Sequence, residues 1–125
     1  MRAFHRLDEI PVHRIPEGTL QLLSGAQSMV FWLEVDAGSH IARHSHPNEQ
    51  ITWLLEGRLE IQIGDEPARS CGPGSVLLIP GSTPHEAWYR EKCRIVEFFS
   101  PPRFDLFPAA AGNPYGLVEA ETTIT

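Results

Sequence analysis

Two histidines one residue apart, His44 and His46, are the strongest chemical signal in the chain. On an extended strand, side chains two residues apart leave the same face, so both imidazoles can converge on one ion while Arg43 and Ser45 point away. Imidazole suits divalent ions of the first transition row. A lone His-x-His also describes a pair of satisfied core or surface histidines, so the surrounding residues must decide between the two. His40 shares the parity of His44, but four strand residues span roughly 13 Å. It therefore reads as a pocket-mouth or packing residue. A second signal lies in Ile95-Val96-Glu97-Phe98-Phe99. Glu97 shares a face with Ile95 and Phe99, and a carboxyl on an apolar face needs a purpose or a partner. Catalysis and pairing with a structural arginine both fit.

The elements that must hold these groups are strands. Residues 29–35, 50–55, 58–63, 76–79, 85–89 and 94–99 are runs of strand formers, several alternating with period two and stopped by glycine or proline turns. Leu59, Ile61 and Ile63 share one face opposite polar neighbours, as in an antiparallel sheet with one wet face. Short strands with turns every 8–12 residues predict a sandwich or barrel. Ten glycines and eleven prolines in 125 residues agree with many short elements. The length suits a single domain over 1–125, with a barrel core at about 20–103 and a C-terminal tail at 104–125 docked on the barrel or on a neighbouring subunit.

Sixteen acidic against ten basic residues give a formal charge of −6, which repels phosphate backbones and anionic lipid. No nucleic acid and no membrane partner is expected. No apolar run approaches the roughly 20 residues of a membrane span, and the first residues lack the apolar core of a signal peptide. Cys71 and Cys93 have no Cys-x-x-Cys spacing and read as thiols, Cys93 and Cys71 alike structural. A cytoplasmic protein is the expectation. Trp32, Trp53 and Trp88 read as core residues, with Trp88 close enough to His85 to reach a pocket.

Gly38, His44, His46, Gln50 and Gly57, spaced Gly-x5-His-x-His-x3-Gln-x6-Gly, resemble the first motif of the cupin superfamily, which usually has Glu at the position of Gln50. Gly74, Pro80 and His85 resemble the second motif, whose histidine completes a metal site. Ser82 stands where that motif has glycine, and Tyr89 where it often has asparagine. The resemblance implies an all-β fold, a double-stranded β-helix or jelly-roll barrel, with one divalent transition metal per chain (Zn, Ni, Mn or Fe) held by His44, His46, Gln50 and His85. Parity favours Gln50 over Glu49 as the fourth ligand, leaving Glu49 a solvated loop acid. With four neutral ligands the ion would keep nearly its full charge, which favours Lewis-acid chemistry on anionic substrates.

Residues 95–103, with the Phe-Ser-Pro-Pro-Arg exit, resemble the corresponding stretch of the pectin-degradation cupins, small enzymes that linearise unsaturated uronates. There an Asp, a Phe and an Arg line the pocket, matching Glu97, Phe99 and Arg103. The resemblance implies an enzyme acting on a small carboxylate-bearing substrate. Glu97 would move a proton, Arg103 would grip the carboxylate, and Phe99, Tyr89, Trp88 and His40 would line the pocket. Isomerisation or ring opening of an unsaturated sugar acid is the most concrete form. An Fe(II) dioxygenase and a non-catalytic binding module are the alternatives. A homodimer is expected, with sheet edges covered by the segment before Met29 and the tail after Arg103 lying across a partner.

Overall fold

The computed structural model describes residues 3–106. Ten strands run antiparallel: β1 (His13–Ile15), β2 (Gly18–Ser24), β3 (Met29–Val35), β4 (His40–His44), β5 (Glu49–Glu56), β6 (Leu59–Ile63), β7 (Arg69–Cys71), β8 (Val76–Ile79), β9 (His85–Tyr89) and β10 (Cys93–Ser100). They form a six-stranded sheet, ordered β1-β2-β3-β10-β5-β8, and a four-stranded sheet, ordered β4-β9-β6-β7. Inner faces of the two sheets enclose the core, which makes the fold a jelly-roll barrel.

Alternation places the inner side chains. In β2, Leu20 and Leu22 are buried while Thr19 and Gln21 are only partly so, and in β9 His85, Ala87 and Tyr89 are buried while Glu86 and Trp88 turn out. Because neighbouring strands keep this phase, inner residues stack in layers. One end of the barrel carries Gln50, Phe99 and His85, the middle carries Thr52, Glu97 and Ala87, and the far end carries Leu54, Ile95, Tyr89 and Leu59. A tight turn at Gly57 carries the chain from β5 in one sheet to β6 in the other; Gly57 has φ +92°, and a Cβ there would lie 2.3 Å from the Lys92 carbonyl oxygen. No other residue fits that approach.

Several features differ from the sequence expectations. The segment before Met29 contributes β1 and β2 to the chain's own sheet, where β1 pairs with β2 and β2 with β3. None of the tryptophans is in the core. Trp53 is 45% exposed, and Trp32 and Trp88 are partly exposed on outer faces, because each sits at the parity opposite to the buried residues of its strand. Strand β4 is mostly exposed, and its register with β9 shifts between Ile41 and His44. Cys93 is buried, Cys71 is partly exposed, and both are free thiols. No helix among the described residues is long and apolar enough to cross a membrane. The expected docking of the tail concerns residues that, beyond 106, lie outside the described ones.

Candidate metal centre

Three elements bring the histidines together. His44 ends β4, His46 lies in the short link to β5, and His85 opens β9, where register sets it opposite His44. One ring nitrogen from each lies within 4.8 Å of the other two, and the ring centres are 4.3–5.7 Å apart. The turn before β9 braces the link. Ser82 takes the left-handed conformation, φ 60°, that explains a glycine at this place in the second motif, and its N–H donates to the His46 carbonyl oxygen at 2.7 Å. Gly81 comes so close that a Cβ would meet the Pro47 carbonyl oxygen at 2.4 Å.

Each imidazole is oriented by a backbone carbonyl. Nδ1 of His44 faces Ala42 O at 2.9 Å, that of His46 faces Asn48 O at 3.1 Å, and that of His85 faces Thr83 O at 2.8 Å. A carbonyl can only accept, so each Nδ1 carries the proton and each Nε2 keeps its lone pair. This is how metal-ligating histidines are usually held. Asn48, which the sequence reading passed over, secures the link itself, since its buried amide donates to the carbonyls of Pro101 and Pro102 at the exit of β10.

Gln50 is buried on the inner face, while Glu49 is exposed. The Gln50 amide nitrogen donates to Thr52 Oγ1 and to Glu97 Oε2, both at 2.9 Å, and the Thr52 hydroxyl donates to the same Glu97 oxygen at 3.0 Å. These bonds turn Gln50 Oε1 toward His46 Nε2, 3.0 Å away. Two acceptors at that distance repel each other unless a proton or a cation lies between them. Burial above all, helped by the positive charge of Arg103, holds the His46 pKa down at about 4, so a second proton on this ring is disfavoured near neutrality. Burial also lowers the pKa of His85. Three neutral imidazoles, with one ring nitrogen from each within 4.8 Å of the other two, fit a divalent cation, and the Gln50 amide oxygen lies beside one of them.

Around this centre lies a cavity of about 530 Å³ lined by His44, Gln50, His85, Glu97, Phe99 and Arg103 at the polar end and by Leu59, Ile61, Ala87 and Tyr89 along the apolar wall. Removal of the Glu97 carboxyl from bulk water pushes its pKa up, against the hydrogen bonds from Thr52 and Gln50 and the charge of Arg103. Arg103 lies over the Phe99 ring, 5.2 Å from its centre, and donates through Nε and Nη2 to the two Asp105 oxygens at 2.9 Å. The salt bridge keeps Asp105 below its usual pKa although burial opposes it. Phe99 also meets the His46 ring edge-on at 5.8 Å.

Not every residue expected here is present. Trp88 is absent from the cavity wall, because positions 85, 87 and 89 of β9 point inward and 86 and 88 outward. It stacks instead on His40, with ring centres 5.6 Å apart. His40 borders the cavity but is exposed and bonded to Glu86 at 2.6 Å, apart from the three-histidine group. Thr52 and Asp105 were missed. Thr52 was legible as a lone hydroxyl at the parity of Gln50, whereas nothing in the spacing of Asp105 marked it.

Residues 31–99, more than half the chain, match the Cupin domain family. The chain is a cupin. It is 30% identical over 105 residues to the uncharacterized protein SCO3923 of Streptomyces coelicolor, which covers 82% of this cupin and 98% of that protein. The structure of KdgF from a Halomonas species superposes with a TM-score of 0.73 at 25% identity, covering 84% of this chain and 100% of that one. An RmlC-like cupin from Shewanella frigidimarina superposes with a TM-score of 0.78 at 21% identity, covering 86% and 97%. A three-histidine site on a cupin barrel supports binding of a divalent metal.

Proposed function

We propose that this cupin is a metal-dependent enzyme that rearranges a small carboxylate-bearing molecule, in its most concrete form an isomerisation or ring opening of an unsaturated sugar acid. The observation that carries this reading is the locked Gln50 amide, whose oxygen faces His46 Nε2 while its nitrogen is tied to Glu97. A divalent cation held by His44, His46, His85 and Gln50 would supply Lewis-acid polarisation of a substrate carbonyl or hydroxyl oxygen.

The chain's own groups divide the remaining work. Glu97 Oε2 is occupied by two donors, which leaves Oε1 as the atom that gives or takes the proton on the cavity side. Its raised pKa brings it nearer the range useful for transfer in both directions. Asp105 takes one edge of the Arg103 guanidinium, and the Nη1 side remains to bind a carboxylate in the cavity. Phe99 stiffens that arrangement from below. The resemblance of residues 95–103 to the pectin-degradation cupins and the structural likeness to KdgF support the sugar-acid form.

One observation favours a second reading, a non-catalytic ligand-binding module. Glu97 orients Gln50, and Asp105 holds Arg103, so both charged groups have holding roles that need no turnover. Assay of metal-loaded protein with a 4,5-unsaturated uronate separates the two readings. Metal-dependent loss of the substrate's ultraviolet absorbance above buffer is expected. Tight binding without conversion would establish the module, and oxygen uptake with an iron-loaded sample would transfer the site to oxygenase chemistry.

A further inference from the structure

Two groups of the candidate site come from stretches of chain that no strand pairing joins. His46 lies in the link before β5, and Arg103 lies just beyond the end of β10. Strands β5 and β10 are paired as far as Glu49 and Ser100, and there the ladder stops. Backbone alone cannot extend it, because Pro101 and Pro102 carry no N–H. Their carbonyls still need donors. Asn48, the residue next before β5, supplies them: its buried side-chain amide donates to the Pro101 carbonyl and, at 3.3 Å, to the Pro102 carbonyl. An asparagine amide has two N–H groups for these two acceptors, whereas an aspartate has none.

The Pro102 carbonyl and the Arg103 nitrogen and Cα belong to one planar peptide unit, so a carbonyl held from outside fixes the plane from which the Arg103 side chain starts. The Phe104 N–H, 2.9 Å from the same oxygen, fastens that plane as well. Farther out the guanidinium has the Phe99 ring and the Asp105 carboxylate, whose side chain is 57% exposed and screened by water. Asn48 meets the metal centre through a different atom. Its backbone carbonyl accepts from His46 Nδ1 at 3.1 Å. We propose that Asn48 is a positioning residue for substrate: its side-chain amide sets the carboxylate-binding face of Arg103 against the metal centre. The proposal rests on the reading of Arg103 as the carboxylate grip. A small substrate has to reach Arg103 and the metal centre together, and a misplacement of about 1 Å between two such anchors costs as much as ~100-fold. A residue that only braced the link would serve metal and substrate alike. Because the two contacts of Asn48 are divided between backbone and side chain, the side chain should matter to substrate and much less to metal.

Calorimetric titration of the zinc-loaded full chain with galacturonate, a saturated uronate with no 4,5 double bond to rearrange, tests this. Asn48→Ala should weaken galacturonate binding ~10–100-fold. Zinc binding, read by competition with a chelator, should weaken far less, because the carbonyl that meets His46 stays. In an Arg103→Lys background the same substitution should cost much less uronate affinity, since the group it positions no longer matches the carboxylate. Equal losses of zinc and uronate affinity would overturn the proposal and leave Asn48 a brace of the link. So would equal losses of uronate affinity in the two backgrounds. If the wild type binds no uronate, the carboxylate role of Arg103 falls, and Asn48 is decided without ligand by nuclear magnetic resonance. The Arg103 Nε–H should then exchange with water faster in Asn48→Ala than in the wild type; unchanged exchange defeats the positioning role. Should Asn48→Ala lose its circular dichroism, Asn48→Ser, which keeps one donor, goes through the same measurements with the same expectations at smaller size.

Discussion

The two ends of the barrel interior are built from the same strands and do opposite things. At one end β5, β9 and β10 contribute Gln50, His85 and Phe99, joined by His44 from the end of β4 and His46 from the link to β5, and each imidazole Nδ1 and the Gln50 amide has a hydrogen-bond partner. At the other end the same strands contribute Leu54, Tyr89 and Ile95, which pack with Val35, Leu59, Ile61, Ile79 and Cys93 into a continuous apolar cluster. Burying the His46 and His85 imidazoles and the Gln50 amide costs stability, whereas burying those leucines and isoleucines supplies it, at about 1.5–3 kcal/mol per fully buried side chain. The far end is apolar throughout, whereas the metal end sets a polar cluster beside a second apolar cluster around Phe99, so the two should respond differently to substitution.

The largest expected effect belongs to the metal end. His85→Ala should abolish stoichiometric metal binding, measured by elemental analysis of protein purified without affinity-tag metals, while circular dichroism still shows the barrel. Full retention of metal would erase the distinction between the ends. Next is Glu97→Gln, expected to lower turnover by ~100-fold or more with metal content intact. Full activity would reduce Glu97 to a support for Gln50. At the far end Leu59→Ala should cost ~2–5 kcal/mol in denaturant unfolding yet leave metal stoichiometry unchanged. Loss of metal in this variant would show that the ends are not separable.

Acid sharpens the contrast further. His46 is kept neutral in the fold, with a pKa of about 4. An unfolded histidine takes up its proton near pH 6.5, so between pH 6.5 and 4 the unfolded chain binds a proton that the fold refuses, and the metal-free protein should lose stability as pH falls, by up to ~3 kcal/mol from this group. The thermal midpoint of metal-free wild type should fall more between pH 7 and 4.5 than that of His46→Gln; parallel curves would contradict it. The smallest effect should come from Thr52→Val, which preserves shape but removes one of the two acceptors holding the Gln50 amide. About a tenfold loss of metal affinity is expected by competition with a chelator.

Much of this architecture was legible in the residues. Runs of strand-forming residues located β3, β8 and β9 with their observed ends, and turn residues close the first two. Parity put Gln50 inward and Glu49 outward. What escaped the sequence escaped for physical reasons. Strand β4 is short, exposed and irregular in register, so period two carries no signal there. The tryptophans were misplaced because size suggests burial, whereas the phase of the strand decides it. Asn48 and Asp105 act through contacts with the chain near 101–103, a long-range or turn geometry that no spacing rule encodes.

Strands β5 and β10 alternate metal-end and outer-face residues along one backbone: Gln50, Ile51, Thr52 and Trp53 on the first, Val96, Glu97, Phe98 and Phe99 on the second. Deleting a single codon between 45 and 50 would hand the inward positions to Ile51 and Trp53 and turn Gln50 and Thr52 to solvent. The inner and outer surfaces of this sheet are thus inherited as one unit. Substitutions can tune either alone, but an odd-numbered insertion or deletion in these strands exchanges both at once, so length variation in the lineage should collect in the turns.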